Sequence, residues 1–158
     1  MRDSEEQLAR WHADDDIVHK LDEVSGIGLL TASALKTAVG KPERFASGRH
    51  LSAWLGMTPN EYSSGERRRL GCISCKGNTY VRTLLIHGAR AALLAAKRCQ
   101  TRTPERLTQL QRWALQTAER IGHNKAAVAL ANKLVRICWA VWCHERRFSG
   151  DWQSARPA

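Results

Sequence analysis

From Asn78 onward the apolar residues Val81, Leu84, Leu85, Ala89, Ala92, Leu93 and Ala96 recur at the period of an α-helix, with Arg90 and Lys97 on another side. A helix of this length is marginal by itself in water, and its apolar stripe must be covered by other elements. That requirement points to a helix-packed fold. Downstream, Pro104 stands where a first-turn proline would open a helix running to about Arg120. Gly122-His123-Asn124 then separates it from a last helix, Lys125 to His144, with the stripe Val128, Ala131, Val135, Cys138 and Trp142.

Upstream, residues 4–22 read as a polar helix with a sparse stripe of Leu8, Trp11, Val18 and Leu21. A glycine-bearing turn at Val24–Gly28 leads into a small-residue helix, Leu29 to Val39, stopped at Gly40 with Pro42 just beyond. Ser47 is placed to cap a short helix through Leu55 that ends at Gly56. Between Met57 and Gly77 the helical period fails, and Pro59, Asn60, Ser63, Ser64, Gly65, Gly71 and Gly77 punctuate the segment. A structureless stretch of that length is uncommon inside a domain and is often functional. The expected fold is therefore mostly α: a helix-hairpin-helix-containing helical domain, a short loop or β-hairpin insertion at about 57–77, and a C-terminal helical pair. Residues 1–22 are expected to form a linker or oligomerisation helix, 23–146 the domain, and 147–158 a disordered tail.

Charge narrows the partners. Lysine and arginine number 25 against 15 acidic residues, a formal net charge of +10. Much of the acid lies in the first 23 residues, at Asp3, Glu5, Glu6, Asp14, Asp15, Asp16, Asp22 and Glu23, so the remainder is more basic still. Polyanions are the natural partners, because binding to each phosphate releases counterions. No basic amphipathic helix carries the aromatic face of a membrane binder, no apolar run approaches the roughly 20 residues of a span, and the first residues lack a signal-peptide core. A cytoplasmic location without membrane contact is the expectation.

Three motifs bear on chemistry. In Leu21-x-x-Val24-x-Gly26-Ile27-Gly28-x-x-Thr31, two helices joined by a glycine turn make a helix-hairpin-helix. Free N–H groups at the start of the second helix suit a DNA phosphate; the alternative is a turn that merely joins two helices. In Tyr62-Ser63-Ser64-Gly65-Glu66-Arg67-Arg68-Arg69, two serines and a glycine adjoin three arginines. Arginines would bind a phosphodiester and neutralise charge developing under attack by a serine, although a serine-glycine turn with a solvated basic run has the same composition. In Gly71-x-Ile73-Ser74-x-Lys76-Gly77-Asn78-x-Tyr80-x-Arg82, Lys76 and Arg82 bracket the start of the long helix, another phosphate site, with Arg90 further along it.

Cys72-x-x-Cys75 invites a zinc or redox reading, but its further ligands would have to come from Cys99, Cys138, Cys143 or His144, at spacings of no zinc module. His87, His123 and His144 are scattered, and Asp14, Asp15 and Asp16 diverge by about 100° per residue on a helix. No metal site is expected in this chain.

Taken in order, Val24 to Ala32, Phe45-x-x-Gly48-Arg49, Ala53 to Pro59, Ser63-Ser64-Gly65, Gly71-x-Ile73-Ser74 to Arg90, and Asn124 to Lys133 resemble one known family. The similarity, from about residue 17 to 146, is to the C-terminal domain of transposases of the insertion sequence 110/1111 type, also called 116/110/902. The resemblance implies DNA transposition by site-specific recombination, with DNA as substrate and a serine that attacks it to give a covalent phosphoserine link. Ser64, directly before Gly65, would be that serine, with Ser63 the second choice. It further implies magnesium in a separate RuvC-like domain, homo-oligomers, and in some members a guide (bridge) RNA. Family members commonly carry Ser-Ser-Gly-Gly-Lys, where this sequence has Ser-Ser-Gly-Glu66-Arg67; they also carry Ile-Ser-Lys-Arg-Gly, where Ile73-Ser74-Cys75-Lys76-Gly77 stands here. The expected form is a truncated or split transposase, inactive without a RuvC-like domain, which in a split form is separately encoded. The alternative is a non-catalytic helix-hairpin-helix DNA-binding protein, a regulator or an inactive remnant.

Overall fold

The computed structural model describes residues 14–151 except 66 and 68, together with residues 6, 7 and 10. The fold is mostly α with one small sheet. Its elements are α1 (Asp16–Asp22), α2 (Leu29–Val39), a 3-10 turn (Pro42–Arg44), α3 (Gly48–Trp54), β1 (Pro59–Glu61), β2 (Leu70–Ile73), α4 (Thr79–Arg102), a second 3-10 turn (Pro104–Arg106), α5 (Gln109–Ile121) and α6 (His123–Cys143).

The polar helix expected over 4–22 is not continuous. Asp15 leaves the helical conformation and its side chain accepts a hydrogen bond from the Val18 N–H at 3.2 Å, so a new helix starts at Asp16. The same carboxylate pairs with Lys36 of α2, tying the two helices together. Leu8 and Trp11 lie outside the described residues. Helix α2 has the expected bounds, opening after Gly28 and ending at Gly40.

Pro104 opens a 3-10 turn rather than a long helix. The helical start moves to Thr108, where a reciprocal capping box wins: Thr108 Oγ1 accepts from the Gln111 N–H at 3.3 Å, and Gln111 Oε1 accepts from the Thr108 N–H at 3.0 Å. Beyond α6 the chain returns to the start of α5. The Gly150 carbonyl accepts from the Leu110 N–H at 3.1 Å and Asp151 Oδ1 from the Gln109 N–H at 3.0 Å, which satisfies donors at the start of α5. Residues 152–158 lie outside the described residues.

The core is built on α4 and α6, which pack against each other, with α2 on α4, α3 on α6 and α5 on both. Helix α4 buries Val81, Leu85, Ala89, Leu93 and Ala96; α6 buries Ala127, Leu130, Ala131, Leu134, Val135 and Cys138. Full burial of each leucine stabilises by about 1.5–3 kcal/mol. Among the described residues α6 is the helix long and apolar enough, by length and composition, to cross a membrane; here its apolar side packs against α3, α4 and α5.

Candidate nucleic-acid interface

The segment between α3 and α4 folds as a β-hairpin arm. Pro59 pairs with Ile73 and Glu61 with Leu70, with an irregularity between them, so the two strands are antiparallel and bulged. Pairing continues beyond the strands: the Tyr62 N–H donates to the Arg69 carbonyl at 2.8 Å, and Ser64 and Arg67 exchange backbone hydrogen bonds at 3.3 and 3.2 Å. In sequence that last pair encloses a link that begins at Gly65. Gly65 has φ +57° with open space where a side chain would start, as the first position of a tight hairpin turn requires.

Register separates the two serines. Opposed residues share a face, so Tyr62, Ser64, Arg67 and Arg69 lie on one side and Glu61, Ser63 and Leu70 on the other. The Ser63 hydroxyl is engaged twice, donating to Glu61 Oε1 at 2.8 Å and accepting from the Arg69 N–H at 3.2 Å. Ser64 is exposed and its hydroxyl makes no hydrogen bond among the described residues. Among the described residues Arg67 and Arg69 share the face of Ser64, and Glu61 that of Ser63. Arg67 and Arg69 are exposed, and Arg68 lies outside the described residues.

The arm is rooted by backbone contacts. A Cβ on Gly56 would meet the Lys76 carbonyl oxygen at 2.2 Å, and one on Gly77 the Trp54 carbonyl oxygen at 2.2 Å. The return strand can therefore cross the end of α3 only with glycine at both places. Asn132 of α6 donates to the Met57 carbonyl at 2.9 Å, bracing the other side of the root. Tyr62 lies over Gly71, filling the space that residue leaves.

Arg82 belongs to this root. It is only 8% exposed; Nη1 donates to the Leu55 carbonyl at 3.2 Å and Nη2 to Thr79 Oγ1 at 3.2 Å. Expected from the sequence as a DNA contact, its guanidinium here serves a carbonyl at the end of α3. Lys76, Tyr80 and Arg90 are exposed.

The glycine turn before α2 also faces inward. Gly26 has φ +92°, and a Cβ there would meet the Gly88 carbonyl oxygen at 2.8 Å; one on Gly88 would sit 1.8 Å from the Gly26 carbonyl oxygen. The turn thus lies backbone to backbone on α4. Ile27 and Thr31 are buried. Gly28 is exposed, and no side chain caps the start of α2.

Comparison with known proteins places these elements. Residues 18–105, from α1 through the hairpin and α4, match the Transposase IS116/IS110/IS902 family. The chain belongs to this family. It is 42% identical over 141 residues to a Pseudomonas aeruginosa protein named "Probable family 20 transposase", covering 89% of this chain and 40% of the relative. It is 36% identical over 146 residues to the transposase for insertion sequence element IS1111A of Coxiella burnetii, covering 92% and 38%. A Yersinia enterocolitica transposase, for insertion sequence element IS1328, is 34% identical over 145 residues, covering 92% and 41%. The chain therefore spans about two fifths of the length of these curated relatives.

Magnesium, which the family resemblance assigns to a separate domain, finds no cluster of three or more donors among the described residues of this chain. No group of three or more His, Cys, Asp and Glu side chains converges among them, and Cys72 and Cys75 are both exposed on the hairpin side of the molecule. The residues described do not fit a divalent metal centre.

Motif reading missed a second basic region. Arg49 of α3, Lys133 and Arg136 of α6, and Arg146 and Arg147 after it line one groove of about 790 Å³. These residues come from separate parts of the chain. The signal available was the pair Lys133 and Arg136 interrupting an apolar helix at positions that share a side.

Proposed function

We propose that this chain is the DNA-contacting, serine-bearing module of an insertion-sequence transposase, with Ser64 as the nucleophile in site-specific recombination. The observation that carries the reading is the hairpin: the Ser64 hydroxyl, exposed beside the turn and without a hydrogen bond among the described residues, is on the face that bears Arg67 and Arg69. Those guanidinium groups would hold a phosphodiester and offset the charge that builds on its oxygens during attack. Gly65, with open space beside it, lets a sugar-phosphate backbone approach.

The step is a transesterification. Ser64 Oγ forms a bond to phosphorus as the bond from phosphorus to one sugar oxygen breaks. The hydroxyl proton is taken up by an acceptor, and the departing sugar oxygen gains a proton. The phosphate remains a diester, now linked to serine, and a sugar hydroxyl from another strand reverses the exchange. Among the described residues no carboxylate is bonded to Ser64, so we assign proton transfer to a RuvC-like acidic domain acting with this module. That domain, oligomeric assembly and guidance by an RNA are part of the same proposal.

The test is covalent trapping on labelled duplex DNA with the acidic domain supplied in trans. Ser64→Ala should lower the serine-linked adduct by at least about 100-fold, while Ser63→Ala retains it. Undiminished adduct in Ser64→Ala, with loss in Ser63→Ala, moves the chemistry to the Ser63–Glu61 pair. A second reading, a non-catalytic DNA binder acting through the turn before α2, is favoured by one feature: Gly28 is exposed before an uncapped helix start. Leu30→Glu, at a residue 43% exposed, places a carboxylate beside that start. It should leave folding intact and weaken duplex binding several-fold under this reading, because the carboxylate suits the helix dipole and repels phosphate.

A further inference from the structure

The groove lined by Arg49, Lys133, Arg136, Arg146 and Arg147 is a second concave basic surface, apart from the hairpin tip. Its cations come from α3, α6 and the segment after α6, and no aspartate or glutamate is among its lining residues. The nearest acids in sequence are Glu145, outside the lining, and Asp151, whose carboxylate is engaged by the Gln109 N–H. Between the cations the surface is apolar and aromatic, with Trp113, Ile137, Trp139 and Phe148. Trp139 is held in place by donating Nε1–H to the Pro42 carbonyl at 3.2 Å, and its ring meets His144 edge-on at 5.7 Å.

Among the described residues that line the groove, none is acidic to neutralise this charge. Lys133 Nζ rests over the Trp113 ring, 4.3 Å from its centroid, and burial together with the Arg136 guanidinium holds its ammonium below the usual lysine range. An anion would relieve that repulsion. The volume lies within the roughly 300–1,000 Å³ of clefts that enclose small ligands, room for a nucleotide or two and too little for a duplex. Cations in series with aromatic and apolar surface between them are what an unpaired strand uses: phosphates on the cations, base faces on the rings. A duplex hides those base faces.

We infer that this groove binds an unpaired stretch of a polynucleotide strand, with phosphates on Arg49, Arg136, Arg146 and Arg147 and a base against the Trp139–Phe148 surface. Helix α6 serves both regions: Lys133 and Arg136 line the groove, and Asn132 holds the Met57 carbonyl at the hairpin root. The inference takes its ligand class from the nucleic-acid reading and is independent of Ser64.

Fluorescence anisotropy of the full chain with a labelled oligothymidylate of about ten nucleotides, and with the matching oligouridylate, tests it. Arg49→Ala/Arg136→Ala should weaken binding about tenfold or more and reduce the salt slope by about 1.4, roughly 0.7 for each phosphate that goes unneutralised. A duplex of the same length should compete poorly, and Ser64→Ala should bind like the wild type. Preference for one oligomer identifies the strand as DNA or RNA. Unchanged affinity in a variant with an unaltered circular dichroism spectrum and melting curve overturns the proposal, as does equal competition by duplex. Should the double variant fail to fold, Arg146→Ala/Arg147→Ala, beyond the last helix, reads the same weakening. Strand binding that emerges only after residues 152–158 are deleted assigns the groove to the chain's own tail and also overturns it.

Discussion

The turn at Gly26 and the turn at Gly65 look alike in sequence: each is a glycine directly after a serine in a short link, each adopts positive φ, and each is a plausible place for a DNA backbone to approach. Their surroundings differ completely. Gly26 lies on Gly88 with no space for even a methyl group, whereas Gly65 has nothing within 4 Å of the place where a Cβ would be. Glycine permits close approach of two backbones, but the partner can be the protein's own chain. At Gly26 it is α4, and at Gly65 the space remains open for a ligand.

The largest effect is expected of Gly88→Ala. In the middle of an exposed helix this change normally gains about 1 kcal/mol. Here the new Cβ would sit 1.8 Å from the Gly26 carbonyl oxygen, and both partners are backbone, so a helix or the turn must move. A loss of about 3 kcal/mol or more is expected, measured as a lower urea midpoint at unchanged slope. A stabilised Gly88→Ala would mean that the turn does not rest on α4 in solution and would return Gly26 to the DNA-binding candidates.

Arg82→Ala comes next. Among the described basic residues of its motif it alone is buried, and its removal leaves the Leu55 carbonyl without that donor and a cavity under the hairpin root. A loss of about 2 kcal/mol is expected. Arg69→Ala, on the exposed arm, should change stability by no more than about 0.5 kcal/mol while weakening DNA binding. Equal effects of the two on stability would erase the distinction between root and tip. Thiol labelling gives an independent check on the same division. Cys72 and Cys75 on the arm should react with a disulfide reagent at once, while Cys138, fully buried with its thiol pushed up to about 12, should react only on unfolding.

Much of this was legible because it is local. The α4 stripe, the Asn78 cap that accepts from the Val81 N–H at 3.1 Å, the bounds of α2, and the break of helical period around the arm all depend on residues close in sequence. Where two local signals competed, as at Pro104 and Thr108, the one satisfying more backbone donors set the helix start. What escaped was long-range. Nothing near Gly26 announces Gly88, and Arg82 reads as a phosphate ligand until the end of α3 is brought to it. The groove is an extreme case, since its cations come from α3, α6 and the segment after α6. The family match covers the arm and α4 but stops at residue 105, before Lys133 and Arg136.

The smallest expected effect is also the most discriminating for the arm. Gly65→Ala meets no atom, so its only cost is the left-handed backbone, about 1 kcal/mol. Among the described residues the arm is almost wholly exposed and joins the core at its root, so it can open without the helices unfolding. The cost should then fall on the arm alone. Global melting should be unchanged, while exchange of the Ser64 and Arg67 amides, which close the turn by their mutual hydrogen bonds, should quicken about fivefold. If Gly65→Ala instead lowers the global midpoint as Arg82→Ala does, the tip is part of the cooperative core, and the separation between a fixed root and a free serine-bearing tip fails. If exchange quickens as expected, Ser64 is carried on an element whose order is set locally, which is where a bound strand would have most to add.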